Sequence, residues 1–169
     1  MKLSGARESL RAVVAVLALA VAAAAGAPPT GAEPAVVPQP GASCPESFAE
    51  AYTQLPDAQE VVVCQPGSGG QTWLPVGQPF DPSDIWLSYG PGLTLHGQGR
   101  RNPELLSGQW TATPQDGGAC GVEQAAVTDA GVGEPQATAG EPAQTLAFEV
   151  VPVVYSITLT GYCLWERVD

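Results

Sequence analysis

The sequence predicts a mainly β fold: a small disulfide-stapled β-sandwich or partly open barrel with one short N-terminal helix. Short apolar and aromatic runs are separated by clusters drawn from 20 glycines and 17 prolines, which is typical of short strands joined by turns. Helical spacing of apolar residues is nearly absent. The four cysteines all lie beyond an N-terminal apolar run, and an even number of cysteines in an exported chain favours disulfides.

Residues 1–27 have the features of a signal peptide. Three basic residues precede an apolar run at 12–25, and Ala25-Gly26-Ala27 supplies the small residues that signal peptidase requires. The run is shorter than the ~20 residues that a membrane-spanning helix needs. We therefore expect cleavage, a secreted, extracellular or cell-envelope location, and no membrane insertion of the mature chain.

The mature chain is organised as a flexible linker and one domain. Residues 28–42 are rich in Pro, Ala and Gly and predict the linker, and residues 43–169 predict a single disulfide-stapled β domain. After position 27 the chain has three arginines and sixteen Asp and Glu residues, which gives a net charge of about −13. This charge argues against nucleic acid and anionic lipid surfaces as partners. It is accounted for by solubility, with a specific cationic partner as the alternative.

The N-terminal part of the domain holds the one predicted helix. Pro45 is placed to open it, and Phe48, Tyr52 and Leu55 recur at spacings of four and three on one face.

The remainder predicts short strands. A first hairpin turns at the glycine-rich residues 66–70 and a second at Gly90-Pro91-Gly92. Residues 97–102 predict an exposed loop, and residues 129–142 a turn-rich connection. The predicted strands are 60–65, 71–74, 85–89, 93–96, 109–113, 121–127, 144–151, 153–160 and 162–168.

The cysteines are Cys44, Cys64, Cys120 and Cys163, among which three pairings can be drawn. They form no C-x-x-C pair and have no paired histidines, which argues against zinc. We favour Cys44 with Cys64 and Cys120 with Cys163, because each pair then joins strands of one half of the chain. Each bridge is expected to contribute about 3 kcal/mol.

Each half of the C-terminal region places a tryptophan near a cysteine. Trp110, in the run GQWTATP, precedes Cys120, and Trp165 follows Cys163 in the run ITLTGYCLW. A large aromatic beside a disulfide fills a small core, so we interpret the pattern as packing. Over residues 107–169 it resembles small exported Trp- and Cys-containing β-domain proteins of actinobacteria, usually described only as hypothetical secreted proteins or lipoproteins. The resemblance implies a compartment and a β fold but no activity, and this chain departs from it by lacking a cysteine for lipid attachment.

Few residues are candidates for catalysis. His96 is the only histidine, so any Ser-His-Asp or Cys-His scheme must include it, and its place at a predicted strand end favours a surface role. Asp81 with Asp84 or Glu104 has the residue types of glycoside hydrolysis. With sixteen acids in the mature chain, a solvated acidic surface is the favoured interpretation.

Two further features have residue types found in binding sites. Asp129 and Glu134 flank flexible glycines, but they do not alternate as the ligands of a calcium loop do. Trp73 and Trp86 stand near Gly- and Pro-rich loops, where exposed aromatics bind sugars or peptides, although core placement is favoured.

These observations predict a non-catalytic exported or cell-envelope protein that acts as a binding or structural module. We expect no metal and no cofactor, and a partner that is an extracellular or cell-envelope protein or glycan. The alternatives are a secreted glycan hydrolase that uses an acidic pair and an inhibitor or ligand of another exported protein.

Overall fold

The computed structural model describes residues 35–56, 60–97, 102 and 104–169, and this part of the chain is mainly β. The signal-peptide prediction and residues 28–34 of the predicted linker lie outside the described residues. The strands are β1 (Tyr52–Gln54), β2 (Val61–Gly67), β3 (Gly70–Pro75), β4 (Ile85–His96), β5 (Gly108–Pro114), β6 (Gly121–Thr128), β7 (Gly131–Val132), β8 (Gln136–Ala139), β9 (Leu146–Val150) and β10 (Val154–Arg167).

The strands form one open sheet around the two longest strands. Its main strand order is β3-β2-β1-β4-β10-β5-β9. Outside this order, β6 pairs with β10, β7 and β8. β10 is antiparallel to β4 from the pair Ser156 and His96 to the pair Glu166 and Ile85. On its other edge it pairs with β6 through its first half and with β5 through its second half. β10 therefore joins all parts of the sheet.

The predicted short helix is not present as a regular helix. Glu46–Phe48 forms a three-residue 3-10 turn, after which Ala49 is extended and Glu50 has a φ of 66°. The backbone N–H of Glu50 then donates to Cys64 O at 2.7 Å. Tyr52, which the spacing placed on a helical face, instead pairs with Val63 of β2. Pairing with β2 gives these backbone groups partners over long sequence distance, which the local spacing cannot reveal.

The first predicted hairpin is confirmed, since β2 and β3 pair antiparallel with Gly67 opposite Gly70. The second is wrong. β4 continues through positions 90–92 because β10 supplies a pairing partner on both sides of them. The two strands predicted at 153–160 and 162–168 are likewise one strand. Its pairing with β4 has a bulge, where positions 91 and 92 of β4 oppose Thr160, and the next residue, Gly161, has a φ of 92° and lies opposite Gly90. The connection predicted at 129–142 contains β7 and β8.

Around β4 and β10 the sheet has an apolar core on each face, and neighbouring residues point to opposite sides. Trp86 and Trp165 belong to the larger core, whereas Leu87 and Leu164 belong to the smaller one. This is the alternation expected of strands. The smaller core consists of Cys44, Phe48, Ala51, Val62, Cys64, Trp73, Leu87 and Leu164.

One disulfide lies in each core. Cys44 is bonded to Cys64 in the smaller core and Cys120 to Cys163 in the larger one, which is the pairing that the sequence favoured. All four tryptophans are buried. Each disulfide thus ties a residue that precedes a strand or turn, Cys44 or Cys120, to a strand residue, Cys64 of β2 or Cys163 of β10, inside an apolar cluster.

A chain of polar groups lies beside this bulge between β4 and β10. The indole N–H of Trp165 donates to Ser88 Oγ at 2.8 Å, and Ser88 Oγ donates to Gly161 O at 2.7 Å. The Gly161 carbonyl beside the bulge therefore has a hydrogen-bond partner, as buried polar groups require.

The folded part begins slightly before the predicted boundary at residue 43. The backbone N–H of Gly41 donates to Trp73 O at 2.8 Å, and the N–H of Trp73 donates to Ala42 O at 2.9 Å. This segment covers the outer edge of β3. Within the described residues, no helix has the length and apolar character needed to cross a membrane.

Candidate functional site

His96 lies at the exposed end of β4. Its backbone N–H donates to Glu104 Oε2. All four cysteines of the chain are in disulfides, so none of them is a thiol that this imidazole could activate. The structure therefore gives His96 a strand-end position, as the sequence indicated.

The acidic residues proposed for glycoside hydrolysis are partly brought together. Ser83 and Leu105 form an isolated parallel bridge, so Asp84 and Glu104 lie on adjacent segments beside it. Asp81 and Asp84 are exposed. Trp86 is fully buried, so it does not form an aromatic wall of a groove beside these acids.

Asp129 lies in the tight turn of the β6–β7 hairpin, and Glu134 follows β7. Thr128 Oγ1 accepts from Ala130 N at 3.3 Å and donates to Gly131 O at 2.9 Å, which closes the turn. The described ranges contain no group of three or more His, Cys, Asp or Glu side chains that could hold a metal ion. The calcium interpretation therefore gains no support from the arrangement of this loop.

The described surface has a large excess of negative over positive charge. Fourteen Asp and Glu residues are described, against a single described basic side chain, that of Arg167. This guanidinium is itself paired, with its Nε 2.8 Å from Asp169 Oδ1. The carboxylates are spread over strands, turns and the 3-10 turn rather than gathered in one cleft. Such a surface attracts cations over distances of about a Debye length, ~8 Å at physiological salt.

An apolar groove of about 470 Å³ lies beside the Cys44–Cys64 disulfide, on the face of the smaller core. Val36 and Val37 line it with 82% and 42% of their surface exposed. The remaining lining residues are Pro38, Gln39, Ala42, Ser43, Cys44, Pro45, Phe48, Trp73, Leu87 and Tyr162. Its volume falls within the range of small-ligand sites.

Tyr162 is the ionisable group of the groove. Its ring packs edge-on against Phe48 with 6.4 Å between centroids. Burial raises the pKa of the Tyr162 hydroxyl above its ordinary value of 10.0, and the carboxylate of Asp116 raises this pKa further. The hydroxyl therefore stays protonated at neutral pH.

Reasoning from the sequence missed this groove. The signal was the adjacent pair Val36-Val37 inside a stretch otherwise rich in Pro, Ala and Gly. The composition of this stretch predicts a linker, although two neighbouring β-branched residues are unusual in a flexible linker.

Comparisons of the chain with protein-family models, with curated proteins and with solved structures find no match.

Proposed function

We propose that this protein is an exported, non-catalytic binding module of the extracellular space or cell envelope, and that its partner is cationic. The observation that carries the proposal is the charge of the described surface: fourteen carboxylates and one arginine that is already paired. A scattered distribution of acids is the one expected of a binding module. A hydrolase needs two acids opposed across a groove.

The disulfides support the extracellular part of the proposal. Two buried bridges are typical of proteins that fold in an oxidising compartment. On this proposal residues 1–27 direct export and are removed, and the resemblance of residues 107–169 to small exported actinobacterial β-domain proteins reflects a shared compartment.

We also propose that the open sheet curls into a partly open barrel. The side chain of Gln124 supports this, because it links β6 to β9 although these strands do not pair. Its Nε2 donates to Glu149 O at 2.7 Å, and Val151 N donates to its Oε1 at 3.3 Å.

Binding of poly-L-lysine to the purified secreted form tests the proposed function. Titration calorimetry at about 0.15 M salt should detect binding that weakens steeply as salt is raised, since screening acts on exposed charges. An unrelated globular protein of equal net charge is the control. Equal affinity for both proteins would indicate that the acidic surface serves solubility alone and would contradict the proposal.

A second candidate function is favoured by the groove beside Cys44–Cys64. Its occupant would be a neutral apolar molecule with a hydrogen-bond acceptor, since Tyr162 offers a protonated hydroxyl and the nearby Asp116 disfavours anions. Binding of the neutral dye Nile red, compared between the wild type and the variants Val37→Asp and Tyr162→Phe, tests it. Unchanged dye fluorescence in both variants would place dye binding elsewhere.

A further inference from the structure

β8 leaves one of its backbone edges without a partner among the described residues. It pairs with β6 on one side only, in the register Gln124 with Gln136 to Gly121 with Ala139. All four β8 residues are exposed. A strand of this kind is a template to which another strand can be added.

The register identifies which groups are free. Gly140 N donates to Cys120 O at 2.8 Å, which continues the β6–β8 ladder by one pair. Antiparallel ladders alternate between residues that bond to the neighbouring strand and residues that point away. Gln136 and Thr138 therefore bond to β6, whereas Ala137 and Ala139 direct their N–H and C=O groups outward.

Prolines limit the length of this edge. Pro135 precedes β8 at an outward-facing position and has no N–H to donate, and Pro142 follows two residues after Gly140. An added strand is thus confined to about six residues, a length typical of strands in proteins.

The side chains around the edge define the charge of its partner. Glu123 lies directly opposite Ala137 in the register and is exposed, without an ion-pair partner among the described residues. An added strand would lie one spacing beyond Ala137, about 9.5 Å from the β6 backbone. Because only a methyl group lies between, a Lys or Arg opposite Ala137 reaches the Glu123 carboxylate.

A second copy of the chain fits this edge poorly. In the fully paired antiparallel arrangement Ala137 would lie opposite Ala139 of the second copy. Glu141 of one copy would then lie one residue from Glu134 of the other at both ends of the ladder. These side chains point to opposite faces of the ladder, but both copies carry the same large negative charge, which disfavours their association.

We propose that the outer edge of β8 binds an extended cationic segment of a partner protein by strand addition, with basic residues at every second position facing Glu123. This inference rests on the proposed function and locates the binding of the cationic partner.

Two synthetic peptides of equal charge separate strand addition from simple charge attraction. The probe is an acetylated and amidated hexapeptide of alternating Lys and Thr. The control is the same peptide with its Lys backbone nitrogens methylated, which keeps the charge and removes the N–H groups that would face Ala137 and Ala139. Backbone amide exchange followed by NMR gives the readout. The Lys-Thr peptide should bind at least tenfold more tightly, and it should slow exchange at Ala137 and Ala139. The amides of Gln136 and Thr138 are already bonded to β6 and serve as internal controls.

Two variants of the protein test the named groups. Ala137→Pro removes only the outward-facing donor and should weaken Lys-Thr binding about tenfold, the loss expected of one hydrogen bond and a steric block. Glu123→Gln should weaken it two- to fivefold, as for an exposed ion pair. Glu46→Gln makes the same charge change on the 3-10 turn and should have no effect. If Ala137→Pro lowers the melting temperature markedly, its weaker binding cannot be assigned to the lost N–H group. In that case the effect of Glu123→Gln on Lys-Thr binding decides whether the inference holds.

Three results would overturn the inference. Equal binding of both peptides, with Ala137 and Ala139 unprotected, would show charge attraction without strand addition and would leave the proposed function intact. Absence of binding by both peptides and by poly-L-lysine at about 0.15 M salt would contradict the proposed function as well. A dimer that protects these two amides without peptide would assign the edge to a second copy.

Discussion

The two disulfides should differ in how much they stabilise the fold, because they close loops of different length. Cys120 and Cys163 are 43 positions apart, and Cys44 and Cys64 are 20 apart. If a disulfide acts by restricting the unfolded chain, its contribution rises with the logarithm of the loop length. The longer loop then contributes about 4 kcal/mol and the shorter one about 3.3 kcal/mol.

The perturbation is replacement of both members of one pair by alanine, which leaves no free thiol. All four cysteines are at most 8% exposed, so the loss of buried sulfur is similar in the two double variants and the difference between them reports mainly on the loop. Urea unfolding followed by tryptophan fluorescence suits the measurement, since every tryptophan is buried and reports the transition.

We expect the Cys120→Ala/Cys163→Ala variant to lose about 0.7 kcal/mol more free energy of unfolding than the Cys44→Ala/Cys64→Ala variant. The reverse order would refute the loop argument. It would mean that packing of the smaller core around Cys44 and Cys64 dominates the contribution of that bridge. A loss well below 2 kcal/mol in either variant would remove that bridge as a major source of stability.

Two further changes test other parts of the fold. Gly161→Ala would place a Cβ 2.4 Å from Ala119 O at a φ of 92°, so we expect urea unfolding to show a loss of about 2 to 4 kcal/mol in the free energy of unfolding. The control Gly69→Ala, whose Cβ would have no atom within 4 Å, should change this free energy by less than about 0.5 kcal/mol. Equal effects of the two substitutions would contradict the bulge geometry. The pKa of Tyr162 is raised in the folded state by burial first and Asp116 second, so the folded protein holds this proton above pH 10 and stability should fall as pH rises from there through the folded pKa. Tyr162→Phe should remove part of that fall, and an absorbance titration that finds an ordinary pKa for Tyr162 would refute the assignment.

Much of the strand content could be predicted because it depends on local pattern. The alternation of Leu146, Phe148 and Val150 predicts a half-buried strand, and in β9 these three residues are buried while their neighbours are exposed. The hairpin at 66–70 was likewise predictable, because glycine-rich turns between two β-prone runs are a local signal.

The errors occurred where a distant strand outweighs the local signal. The sequence Gly90-Pro91-Gly92 has turn chemistry, yet β10 pairs along the whole of β4 and keeps it extended. The spacing of Phe48 and Tyr52 fits a helix, yet β2 takes up the backbone groups of this segment. The pairing partners of these segments lie from about ten to about 80 positions away in the sequence, and the residue pattern of a segment does not show which distant strand pairs with it.

The sequence by itself determined the strand-rich class, the acidic charge, the four cysteines and their favoured pairing, since these follow from composition, spacing and period. Only the tertiary structure decided that β4 and β10 are continuous, that an apolar core lies on each face of the sheet around them, and that a groove forms beside Cys44–Cys64. It also decided that β8 has a partner strand on one side only among the described residues. These features depend on which strands meet, and hydrogen bonds and apolar contacts between distant segments decide that choice.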